Sequence, residues 1–341
     1  MPQPQSEAFL PAGYVLRNTE RGLAYQIVRL LGHGGFGVTY EARDSAGRRV
    51  AVKELFPSTL TNRGRNYGVS VNCSGDTYTK IMNSFRKEAV VISELAGIDS
   101  VVKIYDYFFA NNTAYYVMEF IGGSTLLSYM KKNGVLDPVS FGPKFQKLMG
   151  DIQLLHQNGV LHRDISPDNI MLRDDGGLKL IDFGSARFFE GSQNLTVNLK
   201  ADFAPLEQYS PSGQGPYTDV YSMAATMYYC FTGRRVPSCL ERMKRDELTL
   251  PSELGIPLSQ EQEAALVKAL ALKYADRYQS MRDFSGDFFR RSEPEIKPVQ
   301  PVEPAEPSWL GYSWATLKSN PALLALCGVL LGAAVALQFI L

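Results

Sequence analysis

The chain has 341 residues, and its 35 Lys and Arg are balanced by 35 Asp and Glu, giving a formal net charge of zero. Nothing in that balance points to a nucleic-acid partner, and a content of 45% hydrophobic and 21% charged residues is that of a globular protein. Cys73, Cys230, Cys239 and Cys327 have neither CxxC spacing nor a neighbouring His cluster. They read as free thiols of a reducing compartment, without structural zinc.

The N-terminus, MPQPQSEAFLPAG, lacks a basic n-region and an apolar h-region, so it does not read as a signal peptide. Residues 1–20 read as a loosely held lead-in. Tyr25–Leu31 reads as a strand that enters Gly32-His33-Gly34-Gly35-Phe36-Gly37, and Val38–Ala42 reads as the strand that returns. A glycine run between two strands differs from the strand-to-helix setting of dinucleotide folds. Its backbone amides can approach phosphates with no Cβ in the way, and Phe36 at the tip can shield them. Arg48–Leu55 is the next strand and carries Lys53 in the run AVK. Residues 56–80 are polar and Gly-rich, with Val69 and Val71 alternating; the insert reads as a solvated hairpin, with Arg63, Arg65 and Tyr67 as its candidate contacts to a partner.

Ile81, Phe85, Ala89, Ile92 and Leu95 have helical spacing, which predicts a helix over 80–95 carrying Glu88. Strands are expected over 101–109 and 113–120. After Gly122-Gly123 the pattern turns helical, at 124–132, 138–158, 217–232 and 260–272. The front is therefore a small β-rich lobe and the rear a larger α-helical one.

The stretch Leu161–Gly184, LHRDISPDNIMLRDDGGLKLIDFG, organises the rear lobe. Its apolar runs 170–172 and 178–181, separated by Asp174-Asp175-Gly176-Gly177, read as a loop followed by a β-hairpin. That arrangement gathers Asp164, Asn169 and Asp182. A carboxylate beside a hydroxyl, with an amide and a second carboxylate able to hold Mg²⁺, suits phosphoryl transfer from ATP.

GHGGFG, AVK, the Glu88 helix, HRDISPDN, DFG and APLE, in that order, resemble the motif set of the eukaryotic-like protein kinases, over about residues 20–290. GGFG with Thr39-Tyr40, and APLEQY, most resemble the bacterial serine/threonine kinases. The resemblance implies an α+β, two-lobed kinase fold and transfer of the ATP γ-phosphoryl group to Ser/Thr hydroxyls of proteins, the kinase itself included. ATP with Mg²⁺, or Mn²⁺ in its stead, would serve the reaction. Asp164 would orient the hydroxyl and accept its proton, and Asn169 and Asp182 would hold the metal. Lys53 would grip the α and β phosphates and pair with Glu88. The loop Gly32, His33, Gly34, Gly35, Phe36, Gly37 would cover the phosphates. Ala51 and Met171 would sandwich the adenine, with Thr39 above it where the family has valine. Met118 would close the back, and the backbones of Glu119 and Ile121 would bond the adenine edge. Ile92, Ile104, His162 and Phe183 would stack between the lobes, Glu207 would pair with Arg277, and Asp219 would hold the catalytic-loop backbone.

One departure bears on chemistry. Two residues after Asp164 the serine/threonine kinases carry a lysine that steadies the γ-phosphate; here the residue is Ser166. Lys200 is the candidate replacement. Arg163 and Arg187 suit a phosphate on Thr196 or Ser192. Two other readings share part of the set: a kinase-fold scaffold without transfer, and a small-molecule phosphotransferase. APLEQY and the Glu207/Arg277 pair favour protein substrates.

These features divide the chain into a kinase domain over 21–291 (small lobe to about 121, large lobe from 122), a Pro-rich linker over 292–321, and an apolar run over 322–341 without a charge. That run is long enough for one transmembrane helix. Trp309, Tyr312 and Trp314 precede it, as at a membrane interface. Gly328 and Gly332 form a GxxxG face through which two copies could pair. The expected location is the inner (cytoplasmic) membrane, single-pass, with the kinase domain in the cytoplasm.

Overall fold

The computed structural model describes residues 9–290 except Phe36, Arg65, 184–186, 189–199 and Pro211, and only the backbone of Arg187 and Phe188. The expected phosphosites Ser192 and Thr196, the linker, the run 322–341 and its Gly328/Gly332 face lie outside the described residues. Among the described residues no helix is long and apolar enough to cross a membrane.

Strand β1 (Val15–Asn18) pairs with β2 (Leu23–His33), which leads through the glycine run into β3 (Gly37–Asp44) and β4 (Arg49–Leu55). A short hairpin follows, β5 (Thr61–Arg63) and β6 (Val69–Val71), then helix α1 (Gly75–Glu94) and strands β7 (Ile104–Ala110) and β8 (Thr113–Glu119). The main sheet is antiparallel throughout, in the order β1-β2-β3-β4-β8-β7. Helix α1 starts at Gly75, five residues before the expected start at residue 80. The Ser74 hydroxyl caps it, accepting from the Thr77 N–H, and Asp76 suits the positive end of the helix.

Both faces of this sheet are covered. Alternate residues of β4 serve different cores, because a strand sends successive side chains to opposite faces. Ala51 and Leu55 join α1 and the large lobe, whereas Val50 and Val52 join Leu10, Leu16, Tyr40, Val69 and Tyr115. The expectation of a loose lead-in is corrected here for the part described. Leu10 is buried, its N–H donates to the Tyr40 hydroxyl at 3.2 Å, and β1 extends the sheet. Isolated apolar residues in a polar segment gave no periodicity from which to read that packing.

The insert is corrected as well. Arg63 is not solvated: its side chain is 0% exposed and meets Glu54, also 0% exposed, at 2.5 Å. Glu54 further accepts from the Tyr40 hydroxyl at 2.9 Å and the Tyr115 hydroxyl at 2.5 Å. Arg63 donates to the Tyr67 carbonyl at 2.9 Å and lies over the Phe56 ring. The ring of Tyr67 meets Tyr14 edge-on, so hairpin and lead-in close on one another over the sheet. Arg65 is outside the described residues.

The rear lobe begins with β9 (Gly123–Thr125), which docks on β11 (Ile170–Arg173). Gly123 has φ +123°, and a Cβ there would lie 2.0 Å from the Leu172 carbonyl oxygen, so only glycine permits this crossing. Helices α2 (Leu126–Asn133) and α3 (Pro138–Gln157) follow, then β10 (Val160–Leu161), and β11 paired with β12 (Leu178–Leu180) as the expected hairpin. β13 (Arg187–Phe188) pairs with β10. Helix α4 (Pro216–Thr232) is buried almost throughout and is surrounded by the short α5 (Cys239–Lys244), α6 (Gln260–Ala269) and α7 (Met281–Phe288).

Candidate active site

Lys53 projects from β4 towards α1. Its Nζ donates to Glu88 Oε1 at 2.8 Å and lies 3.3 Å from Asp182 Oδ1. Burial disfavours the ammonium charge, yet the carboxylates of Asp182 and Glu88 outweigh it and hold the Lys53 pKa well above the usual lysine range. Tyr116, opposite Lys53 in the β4–β8 register, donates its hydroxyl to the same Glu88 oxygen at 2.9 Å. The sequence reading missed Tyr116, which there is one more aromatic in an apolar strand. Gly37 opens β3 against β4; a Cβ on it would lie 2.6 Å from the Glu54 carbonyl oxygen. The loop closes with Gly34 N–H donating to the Gly37 carbonyl at 2.9 Å, next to Gly32, His33 and Gly35, while Phe36 is outside the described residues. Thr39 pairs with Lys53 and Ala51 with Met118 across neighbouring strands. Glu119 and Ile121 lead from β8 into the rear lobe, and Glu119 is tied to the buried Lys179 of β12 at 2.5 Å. Met171 lies on β11 and is partly buried.

The catalytic-loop backbone is hung on one buried carboxylate. Asp219, at the start of α4, accepts from the N–H of His162 at 2.8 Å and of Arg163 at 2.7 Å, and bonds His156 Nε2 at 2.8 Å. Burial opposes its ionisation, but these partners keep its pKa below the ordinary carboxylate value. They also hold Arg163 in a left-handed conformation, φ 68°. Gln208 donates to the Arg163 carbonyl at 2.7 Å, a second brace that the sequence did not announce. The His162 ring packs against Phe183 at 4.8 Å, and burial pushes the His162 pKa down. Ile92 is buried and Ile104 partly buried in the same core.

Asp164 is held by both oxygens. Asn169 Nδ2 donates to Asp164 Oδ2 at 2.8 Å and to the Asp164 carbonyl at 2.9 Å, while Lys200 Nζ lies 3.3 Å from Oδ1. Burial raises the Asp164 pKa to about 6, with Lys200 pulling the other way and Asp182 adding to the rise. Because the Asn169 nitrogen is committed to Asp164, its amide oxygen is the atom left to meet a cation. Asn169 and Asp182 are oxygen donors, which fits Mg²⁺ completed by phosphate oxygens and water. Among the described residues no cluster of three or more His, Cys, Asp or Glu could hold a metal by itself.

Lys200 also donates to the Ser166 hydroxyl at 2.8 Å. The departure at Ser166 and its candidate replacement, Lys200, therefore meet in space. Glu207 and Arg277 form the expected buried pair, in two contacts of 2.7 and 3.1 Å. The side chain of Arg187 is outside the described residues.

A family model for the protein kinase domain matches residues 25–269. Serine/threonine-protein kinase PknA of Nostoc sp. is 29% identical over 276 residues, covering 76% of this chain and 46% of the relative. Serine/threonine-protein kinase PknB of Mycobacterium tuberculosis is 28% identical over 292 residues, covering 80% of this chain and 44% of the relative. The chain thus spans less than half the length of these curated relatives. A solved structure titled "PpkA-294 apo form" superposes with a TM-score of 0.72 and 28% identity, over 82% of this chain and 99% of that one.

Proposed function

The chain belongs to the protein kinase domain family, and from that premise we propose that it transfers the γ-phosphoryl group of ATP to serine and threonine hydroxyls of proteins, itself included. The observation that carries the proposal is the closed set Lys53–Glu88–Asp182, facing an Asp164 whose two oxygens are both oriented. Protein kinases use ATP with a divalent metal. In this chain Asn169 and Asp182 would hold Mg²⁺, or Mn²⁺ in its place, and the ion would neutralise charge on the β and γ phosphates. Lys53 fixes the α and β phosphates. The glycine loop 32–37 covers them, and Thr39, Ala51, Met118, Met171 and the backbones of Glu119 and Ile121 form the adenine slot. Asp164 is predominantly ionised at neutral pH despite its raised pKa of about 6, so it can orient the acceptor hydroxyl and take its proton.

Lys200 supplies the charge that Ser166 cannot. Its ammonium reaches the same Asp164 from the segment before APLE, and Ser166 docks it. The test is labelled ATP and Mg²⁺ with the detergent-solubilised full chain and a generic protein substrate. Asp164→Ala should abolish labelling. Lys200→Ala should lower kcat on the order of 10²-fold, as loss of one pre-aimed charge does. Unlabelled wild-type protein and substrate would favour the scaffold reading; full kcat in Lys200→Ala would remove Lys200 from the mechanism.

The domain limits 21–291, 292–321 and 322–341 belong to the same proposal, with the last segment as a single transmembrane helix in the inner membrane and the kinase domain in the cytoplasm, where ATP is. The uncharged run of twenty residues and the aromatics before it support this reading. Pairing through Gly328 and Gly332 would bring two kinase domains together for phosphorylation in trans. The full chain should sediment with membranes and resist alkaline extraction; release by alkali would refute the anchor.

A further inference from the structure

Lys200 differs from a lysine in the catalytic loop in what holds it. A cation carried by the loop would be fixed by that loop's own backbone, which Asp219 already grips. Lys200 instead stands at the head of a turn outside the loop. Its carbonyl accepts from the N–H of Phe203 at 2.8 Å and of Ala204 at 3.0 Å, so the place of Lys200 is set by where this turn rests.

The turn rests on α4. The buried Ser222 donates its hydroxyl to the Phe203 carbonyl at 2.9 Å, with the Thr218 carbonyl more distant at 3.3 Å. The Phe203 ring stands edge-on to Tyr229, further along α4. On the solvent side Asp202 meets Arg235 at 2.6 Å, with side-chain exposures of 30% and 63%. That pair is open to solvent and contributes little. The Ser222 bond is the buried polar link, and leaving the Phe203 carbonyl without it would allow the turn to shift. One helix thus grips both partners of the Lys200–Asp164 contact: Asp219 holds the loop that carries Asp164, and Ser222 holds the turn that carries Lys200.

We infer that Ser222 is a positioning residue for phosphoryl transfer, acting through Lys200: it seats the Phe203 turn so that the Lys200 ammonium reaches Asp164 and Ser166. The inference rests on the proposed kinase activity and on the role proposed there for Lys200.

The test is a double-mutant cycle on the full chain with ATP, Mg²⁺ and a generic protein substrate, measuring kcat and the KM for ATP. Ser222→Ala should lower kcat about tenfold, the worth of one net hydrogen bond, and leave the KM for ATP unchanged. In a Lys200→Ala background the same substitution should cost nothing further, because the group it positions is gone. A tenfold loss that persists beside Lys200→Ala, or a rise in KM that accompanies it, would make Ser222 merely structural and overturn the inference. Unchanged kcat in Ser222→Ala alone would also overturn it. If the background variant is too slow to measure, Ser166→Lys with Lys200→Ala returns the cation to the catalytic loop, and Ser222→Ala should then be silent. No transfer by the wild type would instead defeat the kinase reading itself, a different outcome from any of these.

Discussion

Lys53→Met is expected to lower kcat/KM on the order of 10³-fold while the protein stays folded. The ammonium lies between Glu88 and Asp182, at 2.8 and 3.3 Å. It is held there without adjustment: β4 is paired on both edges, by β3 and β8, and the side chain leaves it between buried neighbours. A charge fixed in advance, in a partly dry cleft, acts on phosphates far more strongly than one that must be ordered during the reaction. Methionine has similar length and no charge. Glu88 would keep the Tyr116 hydroxyl as a partner, so the fold should survive. Lys53→Arg should not rescue, because a planar guanidinium is wider than the ammonium and offers its donors in a fixed fork. Steady-state kinetics over an ATP series, with circular dichroism on each variant, checks this. Transfer by Lys53→Met within tenfold of wild type would contradict it.

Arg63→Ala, far from the chemistry, is expected to destabilise the protein by about 3–5 kcal/mol. The substitution leaves Glu54 charged, fully buried and without its cation. The hydroxyls of Tyr40 and Tyr115 remain, and each is already bonded to Glu54. Burial and the Glu54 charge both push these two phenols far above the usual tyrosine range, so they stay neutral donors and cannot balance the carboxylate. Glu54→Gln together with Arg63→Leu should recover much of the loss, because removing both charges removes the burial penalty as well. Denaturant unfolding of the three proteins measures it. A loss below 1 kcal/mol in Arg63→Ala would show that the hairpin does not brace the sheet.

The contrast between these two lysine- and arginine-centred sites shows what the sequence could disclose. Asp164, Asn169 and Asp182 were legible because a loop, an apolar run, a tight turn and a second apolar run lie in one short stretch, where local rules suffice. Lys53 and Glu88 were legible from strand and helix patterns at fixed order. Arg63 was not: its partner Glu54 follows Lys53 directly and looks like any polar strand residue, and an arginine in a Gly-rich insert looks solvated. The packing of Leu10 and Leu16 escaped for a similar reason, since single apolar residues carry no period. Lys200 was suggested by an absence at Ser166, and its 2.8 Å contact with that serine is a tertiary fact that no local pattern contains. Tyr116, Gln208 and Ser222 act through neighbours distant in the chain and left no trace of their own.

Lys53 and Glu54 are consecutive, and they face opposite sides of one strand. A slip of β4 by a single residue would carry one of them across: in one direction an ammonium lands among Tyr40, Tyr115 and Arg63, in the other a carboxylate lands beside Glu88 and Asp182. Either placement is repulsive, the first against Arg63 and the second against Glu88 and Asp182. The pair therefore works as a parity check on the strand: the insert and lead-in reject the misaligned sheet from one side as the cleft around Lys53 rejects it from the other. A chain that dispensed with the insert would keep every residue of the cleft and lose half of that check.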